Sequence, residues 1–518
     1  MVSGKRAGWE RERDTPAGVF IFLPVLRPEA DPQENTHRKM QVERSEWKMS
    51  IQLVIIVAYV AVLFGISFYA KRLAANGSTN FLFAGRKMGS GLVAVNVAGL
   101  AIGAASTIGV AEHAFSVGIA AGWYNAAWSA GALVMGLFAA AKYREMDCTT
   151  VPELFERYYD KNSRVIAVFG LVIIQMVITA MQYLAGGALL SSLLPEYFSF
   201  QGGMIASAVV FIGITLIGGL WSSGLSNIVS MILIYIGVLA GTFMSVSNQG
   251  GIAAIAAKLP ANTDWFAPVG SLGLAMIVGW FAVMITQTIS AQGPVQIACG
   301  AKDGKAARNG YLWGALMIFP IGFLCALMGM AAKVAYPDIK ATMALPKIIM
   351  SLDPLLSGTT LAALWAADVS TACTLLLGAG TLFSQDIYKR FIAPGISDGR
   401  YVIVNRLAIL AIGLITLWFA FNAVGILRTL LIGLSLTTAF TVVFLFTIFA
   451  PGLCRKSSAF YTTLAGMLAL AAWQVVPAVQ IFAHPIYMEW AVCLGTFFLV
   501  AILDNEKIPA AAMASKGI

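Results

Sequence analysis

From Ser50 onward the chain is a succession of long apolar runs separated by short polar breaks, and no other feature narrows its fold as much. A helical run of about 20 apolar residues matches the ~30 Å hydrocarbon core of a bilayer. Inside that core every backbone N–H and C=O needs a partner within the protein, which selects helices for such runs. The runs lie at roughly 50–70, 90–116, 120–141, 165–193, 202–220, 224–247, 270–299, 310–334, 357–383, 402–421, 425–450, 459–478 and 485–503. The expected fold class is therefore an all-α membrane protein of about 13 transmembrane helices. Only 11% of the 518 residues are charged and 59% are hydrophobic, against about 25% charged in soluble domains. That balance excludes a soluble enzyme and a disordered chain. It also means that the formal charge of +9 reports topology, with no nucleic-acid partner implied; membrane lipid is the expected surrounding.

Thirteen spans put the two ends on opposite sides. Breaks after the odd-numbered runs hold 20 Lys and Arg, including Lys71, Arg86, Lys142, Arg164, Lys302 and Arg455, while the other side holds five: Lys258, Lys333, Lys340, Lys347 and Arg428. Positive residues mark the cytoplasmic side, so the N-terminus is expected outside and the C-terminus in the cytoplasm, in an inner or plasma membrane. Residues 1–49 stand apart, with nine basic and eight acidic residues. They read as a disordered tail or an over-extended translation start. The six cysteines form no CxxC pair and the three histidines are scattered, so neither a disulfide framework nor a zinc site is expected.

Irregular backbone at membrane depth is tolerated only where it lines a cavity or is buried in protein. Transporters put such breaks at matching places in two repeats, around the substrate. Run 2 is rich in small residues between Gly99 and Gly109, and run 7 carries Gln287, Ser290, Gln292, Gly293 and Pro294. These breaks are five runs apart. That offset fits two five-helix repeats, 90–247 and 270–450, with an extra helix at 50–70 before them and two at 459–503 after. Small residues can also serve close helix packing alone. Run 9 contains Asp368, a carboxylate of the kind that marks ion or proton paths in membranes, followed by Ser370-Thr371. Adjacent hydroxyls suit a small hard cation, although in a helix they also bond back to the preceding turn.

Several motifs then coincide. Asn80-Phe81-Leu82-Phe83-Ala84-Gly85-Arg86 precedes run 2. Gln292-x-x-x-Gln296 and Gly300-Ala301-Lys302-Asp303 follow the break in run 7. Thr150-Val151-Pro152-Glu153-Leu154 follows run 3, and Ser384-Gln385-Asp386-Ile387-Tyr388 follows Ser370-Thr371. Together they resemble the sodium:solute symporter family from residue 50 to about 450. The resemblance implies the LeuT-type inverted-repeat fold, alternating access, and Na+ as the coupled ion. It implies a sodium site from Gly99, Ile102, Ala367, Ser370 and Thr371. A second sodium position found in some members corresponds to Asn227, Cys373 and Thr374 here. That is a poor set for a hard ion, so one sodium per cycle is expected. The substrate pocket implied comprises Gly103, Ser106, Tyr124, Asn125, Gln182, Trp280 and Gln287. Tyr124 and Trp280 are equally explained as core packing. Gln287 stands where the sugar-transporting members carry an aromatic gate, which argues against a sugar. Asp368 and Glu112 are the candidates for further ion or proton coupling. Glu112, in a segment similar to the choline-transporting branch, also reads as a carboxylate pinning neighbouring helices.

The expected function is sodium-coupled symport of a small organic solute: an amino acid, organic acid, vitamin or quaternary amine. A proton-coupled transporter using Asp368, Glu112 or His113, and a transporter-like nutrient sensor, are the alternatives. No Gly-x-Ser-x-Gly elbow or His-rich metal motif is present, so an enzyme is not expected. Nothing in the sequence requires an oligomer.

Overall fold

The computed structural model describes residues 32–75, 77–146, 149–422, 430 and 433–508, with side chains from residue 51 onward apart from residue 52. Residues 1–31 and Arg428 lie outside the described residues. Two units separate, residues 1–47 and 48–518. Helix α1 is given as Pro32–Ala74, and its apolar, membrane-length part is Leu53–Ala74. Helical backbone thus starts well before Ser50, where a tail was expected.

The second unit continues with α2 (Ser78–Phe83), α3 (Ser90–Ala101), α4 (Val110–Val117), α5 (Trp123–Val134) and α6 (Ala140–Glu145). Next come the short α7 (Val151–Tyr158), the long α8 (Lys161–Leu193), α9 (Phe200–Asn248) and α10 (Ile252–Lys258). Helices α11 (Leu274–Ser290) and α12 (Gln292–Gly300) form one bent pair, followed by α13 (Gly304–Ala335) and α14 (Ala344–Met350). Helix α15 (Pro354–Thr381) runs on as a π-helical segment, Leu382–Ile392. Helices α16 (Asp398–Ala420), α17 (Thr437–Phe449), α18 (Ser458–Val475) and α19 (Pro485–Leu503) complete it.

Among the described residues, eight helices are long and apolar enough to cross a membrane, or nine with the bent pair. The thirteen runs are not matched one for one. Part of the difference has a physical reason: glycine turns join helices end to end, so that two runs register as one length. Helix α9 has 49 residues, about 74 Å if straight and over twice the ~30 Å hydrocarbon core. It turns at Gly219, where φ is 55° and ψ is −138°. A β-carbon there would collide with the Phe81 carbonyl oxygen. Gly118 (φ 77°) makes the same kind of turn before α5, and Ile119 N–H donates to the Trp265 carbonyl at 2.8 Å.

Helix α15 is the centre of the bundle. All residues from Thr360 to Leu382 are buried, and it packs against α3, α8, α9 and α16. A helix apolar or small on every side has no lipid face to offer and belongs in a core. The outer helices carry the lipid-facing apolar side chains instead, such as Phe243, Trp418 and Ile502, 71%, 63% and 77% exposed.

The turn in α9 yields a test. Gly219→Ala is expected to lower thermal stability in detergent, by more than about 1 kcal/mol, since its backbone angle excludes a side chain. Gly213→Ala, whose new methyl would meet only Phe64 at an ordinary 3.5 Å, is expected to leave the unfolding temperature within a degree or so of wild type. Equal behaviour of the two variants would refute this role for Gly219.

Candidate functional site

The first broken helix supplies the site's backbone. Helix α3 stops at Ala101, and Ile102 departs from helical geometry (φ −90°, ψ 81°). A π-helical turn, Ala105–Gly109, then leads into α4. A helix end buried in protein leaves carbonyls without intrahelical donors, and side chains satisfy some of them here. Ser370 Oγ donates to the Gly99 carbonyl at 2.8 Å and to the Ala367 carbonyl at 2.9 Å. Thr371 Oγ1 donates to Gly99 at 2.9 Å and to Leu100 at 3.3 Å. Ser106 Oγ donates to the Ala101 carbonyl, and Thr107 Oγ1 to Gly103 at 3.0 Å. The break is also held from α8, where Gln182 Oε1 accepts from Ala104 N–H at 2.8 Å.

Four of the five residues expected at the sodium site, Gly99, Ala367, Ser370 and Thr371, are thus joined by direct hydrogen bonds. The fifth, Ile102, is the residue at which the helix opens, and its ψ turns its carbonyl off the helix axis. The donor set is neutral oxygen throughout, the chemistry a hard monovalent cation takes. Gly103 keeps this cradle open: a β-carbon would lie 2.5 Å from Thr371 Oγ1 and 2.7 Å from Gln182 Oε1. Asp368, next to Ala367, is fully buried, and neither of its carboxyl oxygens has a hydrogen-bond partner.

The residues of the alternative second position diverge. Asn227 lies against Gly99 and donates to Asn96 Oδ1 at 3.2 Å. Thr374 bonds with Ser223 at 2.8 Å. Cys373 points to the Phe211 carbonyl.

The remaining pocket residues gather elsewhere on α5 and α11. Tyr124 and Trp280 meet edge to face at 6.2 Å, and His113 stands 5.7 Å from the Trp280 ring. Asn125 lies against Gly322 of α13. Its amide oxygen and nitrogen, like the indole nitrogen of Trp280, are buried without a partner. Gln287 donates to Thr288 Oγ1 at 3.2 Å. Glu112 is half-buried on α4. Buried polar groups are normally paired, so the unpartnered amide and indole are the features of this cluster that call for a ligand.

Sequence reasoning missed the layer beneath the break. A β-carbon on Gly378 of α15 would lie 2.6 Å from Gln175 Nε2 and 3.6 Å from both Gln292 Cγ and Gln296 Oε1. Helices α8 and α12 therefore bring three glutamines to one point on α15. Gln292 Oε1 accepts from Val151 N–H, and its amide donates to Thr149 O, both at 3.3 Å. Beyond them Arg164 pairs with Asp386 and with Glu156, each at 2.5 Å. Thr150 Oγ1 donates to Asp386 at 2.9 Å, and Arg390 closes on Glu156. The motif residues Thr150, Gln292, Gln296 and Asp386 are thus parts of two polar clusters, one of amides and one of ion pairs. Gln175 carried no signal, because a lone glutamine in an apolar run has no partner visible along the chain.

Bundle, broken helix and buried oxygen cradle together define a membrane transporter of the LeuT-type fold. The chain belongs to the sodium:solute symporter family, whose model matches residues 81–468; it is a secondary transporter and no enzyme. It is 26% identical over 402 residues to the sodium/glucose cotransporter of Vibrio parahaemolyticus, covering 69% of this chain and 72% of that one. It is 23% identical over 442 residues to sodium/proline symporter 2 of Staphylococcus saprophyticus, covering 82% and 86%. In structure it resembles a Na+-coupled sialic acid symporter in its substrate-bound outward-open state, with a TM-score of 0.75, 17% identity, and coverage of 89% of this chain and 99% of that one.

The ion-pair cluster predicts a pH effect. Burial works to raise the Glu156 carboxyl, but hydrogen bonds and charge from Arg390 and Arg164 outweigh it, so its pKa lies below the usual carboxylate value. A depressed folded-state pKa stabilises the fold above the unfolded value, and that contribution is lost as pH falls through the folded one. Wild-type stability is expected to decline more steeply than that of Glu156→Gln below about pH 4.5. Parallel stability profiles in the two proteins would show that Glu156 contributes no such linkage.

Proposed function

We propose that this chain couples the entry of one sodium ion to that of one small organic solute, through the oxygen cradle between α3 and α15. The observation that carries the reading is the convergence of Ser370 and Thr371 on the Gly99 carbonyl. Those hydroxyls and carbonyls, with Ile102 O and Ala367 O, are the ligands assigned to the ion. Sodium takes the same carbonyl oxygens that now accept from the hydroxyls, and bridges the broken helix to α15. Sodium moving inward gains about 2.3 kcal/mol per 100 mV of membrane potential, plus its concentration term. Ion and solute then stabilise one conformation mutually, as linkage requires.

Asp368 we assign as the counter-charge. Neither of its carboxyl oxygens accepts a hydrogen bond, and it neighbours the assigned ligand Ala367 in the chain, so a cation in the cradle would favour its ionised form. The solute is assigned to Gly103, Ser106, Tyr124, Asn125, Gln182, Trp280 and Gln287. That lining is rich in amides and holds no basic side chain, which favours a neutral, zwitterionic or cationic solute over a dianion. A sugar, as for the Vibrio relative, is disfavoured by the amide at Gln287. The proline named for the staphylococcal relatives is of the favoured kind. Thirteen spans in a 5+5 inverted repeat over 90–247 and 270–450, with the N-terminus outside and the C-terminus cytoplasmic, complete the proposal. The charge bias supports that orientation, and it makes the glutamine and ion-pair layers the cytoplasmic seal.

Thermal-shift measurements with amino acids, organic acids, vitamins, quaternary amines and sugars, each in sodium and in potassium buffer, test this. Stabilisation by one solute only with sodium is the expected result. Equal stabilisation in both buffers would replace sodium coupling by another mechanism. Ser370→Ala/Thr371→Ala is expected to raise the half-saturating sodium concentration at least tenfold, since each lost charge-bearing contact is worth about 1.5–3 kcal/mol. An unchanged requirement would remove the site assignment. Asp368→Asn should weaken sodium about tenfold or more, and unaltered sodium affinity would exclude the counter-charge role.

A further inference from the structure

We infer that the cleft between the end of α1, the start of α2 and the first turns of α16 is a binding site for the head group of an anionic phospholipid. The cleft has a volume of about 500 Å³ and is lined by Lys71, Gly77, Phe81, Asp398, Val402 and Arg406, among others. Two of these are cations from different helices. Arg406 is planted rather than loose: its guanidinium lies 5.3 Å over the Phe81 ring, and Nη2 donates to the Ile217 carbonyl at 3.4 Å. Its Nε–H is nevertheless buried without an acceptor. What reaches the cleft is the half-exposed end of a fixed guanidinium, and its N–H groups not used on Ile217 form a receptor for a phosphate oxygen. Lys71 is exposed at the last turn of α1 and supplies a second, mobile ammonium.

Asp398 is the one acidic group lining the cleft, and it is already engaged. Its carboxylate accepts from Ser78 N–H at 3.4 Å and from Ser78 Oγ at 3.3 Å. It is also the first residue of the 23-residue helix α16, whose N-terminal amides carry partial positive charge. The balance in the cleft is therefore positive. Gly77 and Gly399, both without side chains, leave room at the mouth.

The surroundings say where the anion comes from. Ile403, which lines the cleft, is 55% exposed, and Leu407, one turn further along the same face of α16, is 61% exposed. Phe68, about one turn before Lys71, is 57% exposed. The cleft therefore opens onto an apolar belt, which an acyl chain fits and a free phosphate does not use. Basic pockets between helices at the edge of the hydrocarbon region are suited to lipid head groups. A choline head group would set its own cation against Lys71 and Arg406, so the lipid must carry net negative charge, as phosphatidylglycerol does. Bound there, it would tie α1 to α16.

The test uses the full chain in detergent, titrated with phosphatidylglycerol, phosphatidylcholine or glycerol 3-phosphate and followed by thermal unfolding and native mass spectrometry. Wild type is expected to prefer phosphatidylglycerol over phosphatidylcholine by at least tenfold, with no response to glycerol 3-phosphate. Lys71→Gln and Arg406→Gln should each lower that preference about fivefold. Arg406→Lys, which keeps the charge, should retain most of it and shows whether position 406 tolerates change. Equal binding of the two lipids, or a preference that survives in Lys71→Gln/Arg406→Gln, overturns the proposal. Stabilisation by glycerol 3-phosphate equal to that by the lipid would make this a site for a soluble anion and overturn the lipid assignment.

Discussion

The hydrogen bonds from Ser370 and Thr371 to the carbonyls of Gly99 and Leu100 hold together what membrane physics would otherwise forbid. A helix that ends in mid-bundle leaves backbone carbonyls without donors, and each such group left bare in an apolar interior is costly. Helix α15 supplies the donors from its side chains. It can do so because it is buried all round and its small residues let α3 approach closely. On the proposed reading the oxygens that stabilise the break are also those that would hold a cation, the hydroxyls keeping their protons and turning their lone pairs to the ion.

Polar groups continue from that joint along α15 in one direction. Gly378 brings three glutamines together, and Asp386 anchors the Arg164, Glu156 and Arg390 cluster. If this is the cytoplasmic seal, as proposed, paired charges suit it: exposing them to water on opening returns their desolvation cost, whereas a layer of leucines would lose its burial energy.

Unpartnered buried polar atoms recur at the places where ligands are assigned: both oxygens of Asp368, the Asn125 amide, the Trp280 indole and the Arg406 Nε. Other unpartnered atoms, such as the Gln175 amide and the Thr462 and Thr463 hydroxyls, lie where no ligand is assigned, so it is coincidence with the broken helix and the cleft that gives the former groups their weight.

Much of this was legible along the chain. The apolar runs, the charge bias of their breaks, the broken helix after Gly99, the bend at Ala291 and the hydroxyl pair all follow from local rules of solvation and backbone geometry. The apolar runs part near Gly118 and Gly219, and there the structure turns on a single glycine and leaves the helices joined end to end. Local pattern does not determine which distant groups meet. That Thr371 reaches Gly99, that Gln182 braces Ala104, that Gln175 joins Gln292 and Gln296, and that Cys373 and Asn227 part company are results of how α3, α8, α9 and α15 pack. Lys71 and Arg406, far apart in sequence, likewise share a cleft only through that packing. The sequence alone settled a membrane-spanning helical chain with breaks in particular helices, because desolvation acts on each segment separately. The composition of the cradle, the seal and the lipid cleft was decided by tertiary structure, because each needs oxygens or cations from helices whose separation along the chain carries no information about their separation in space.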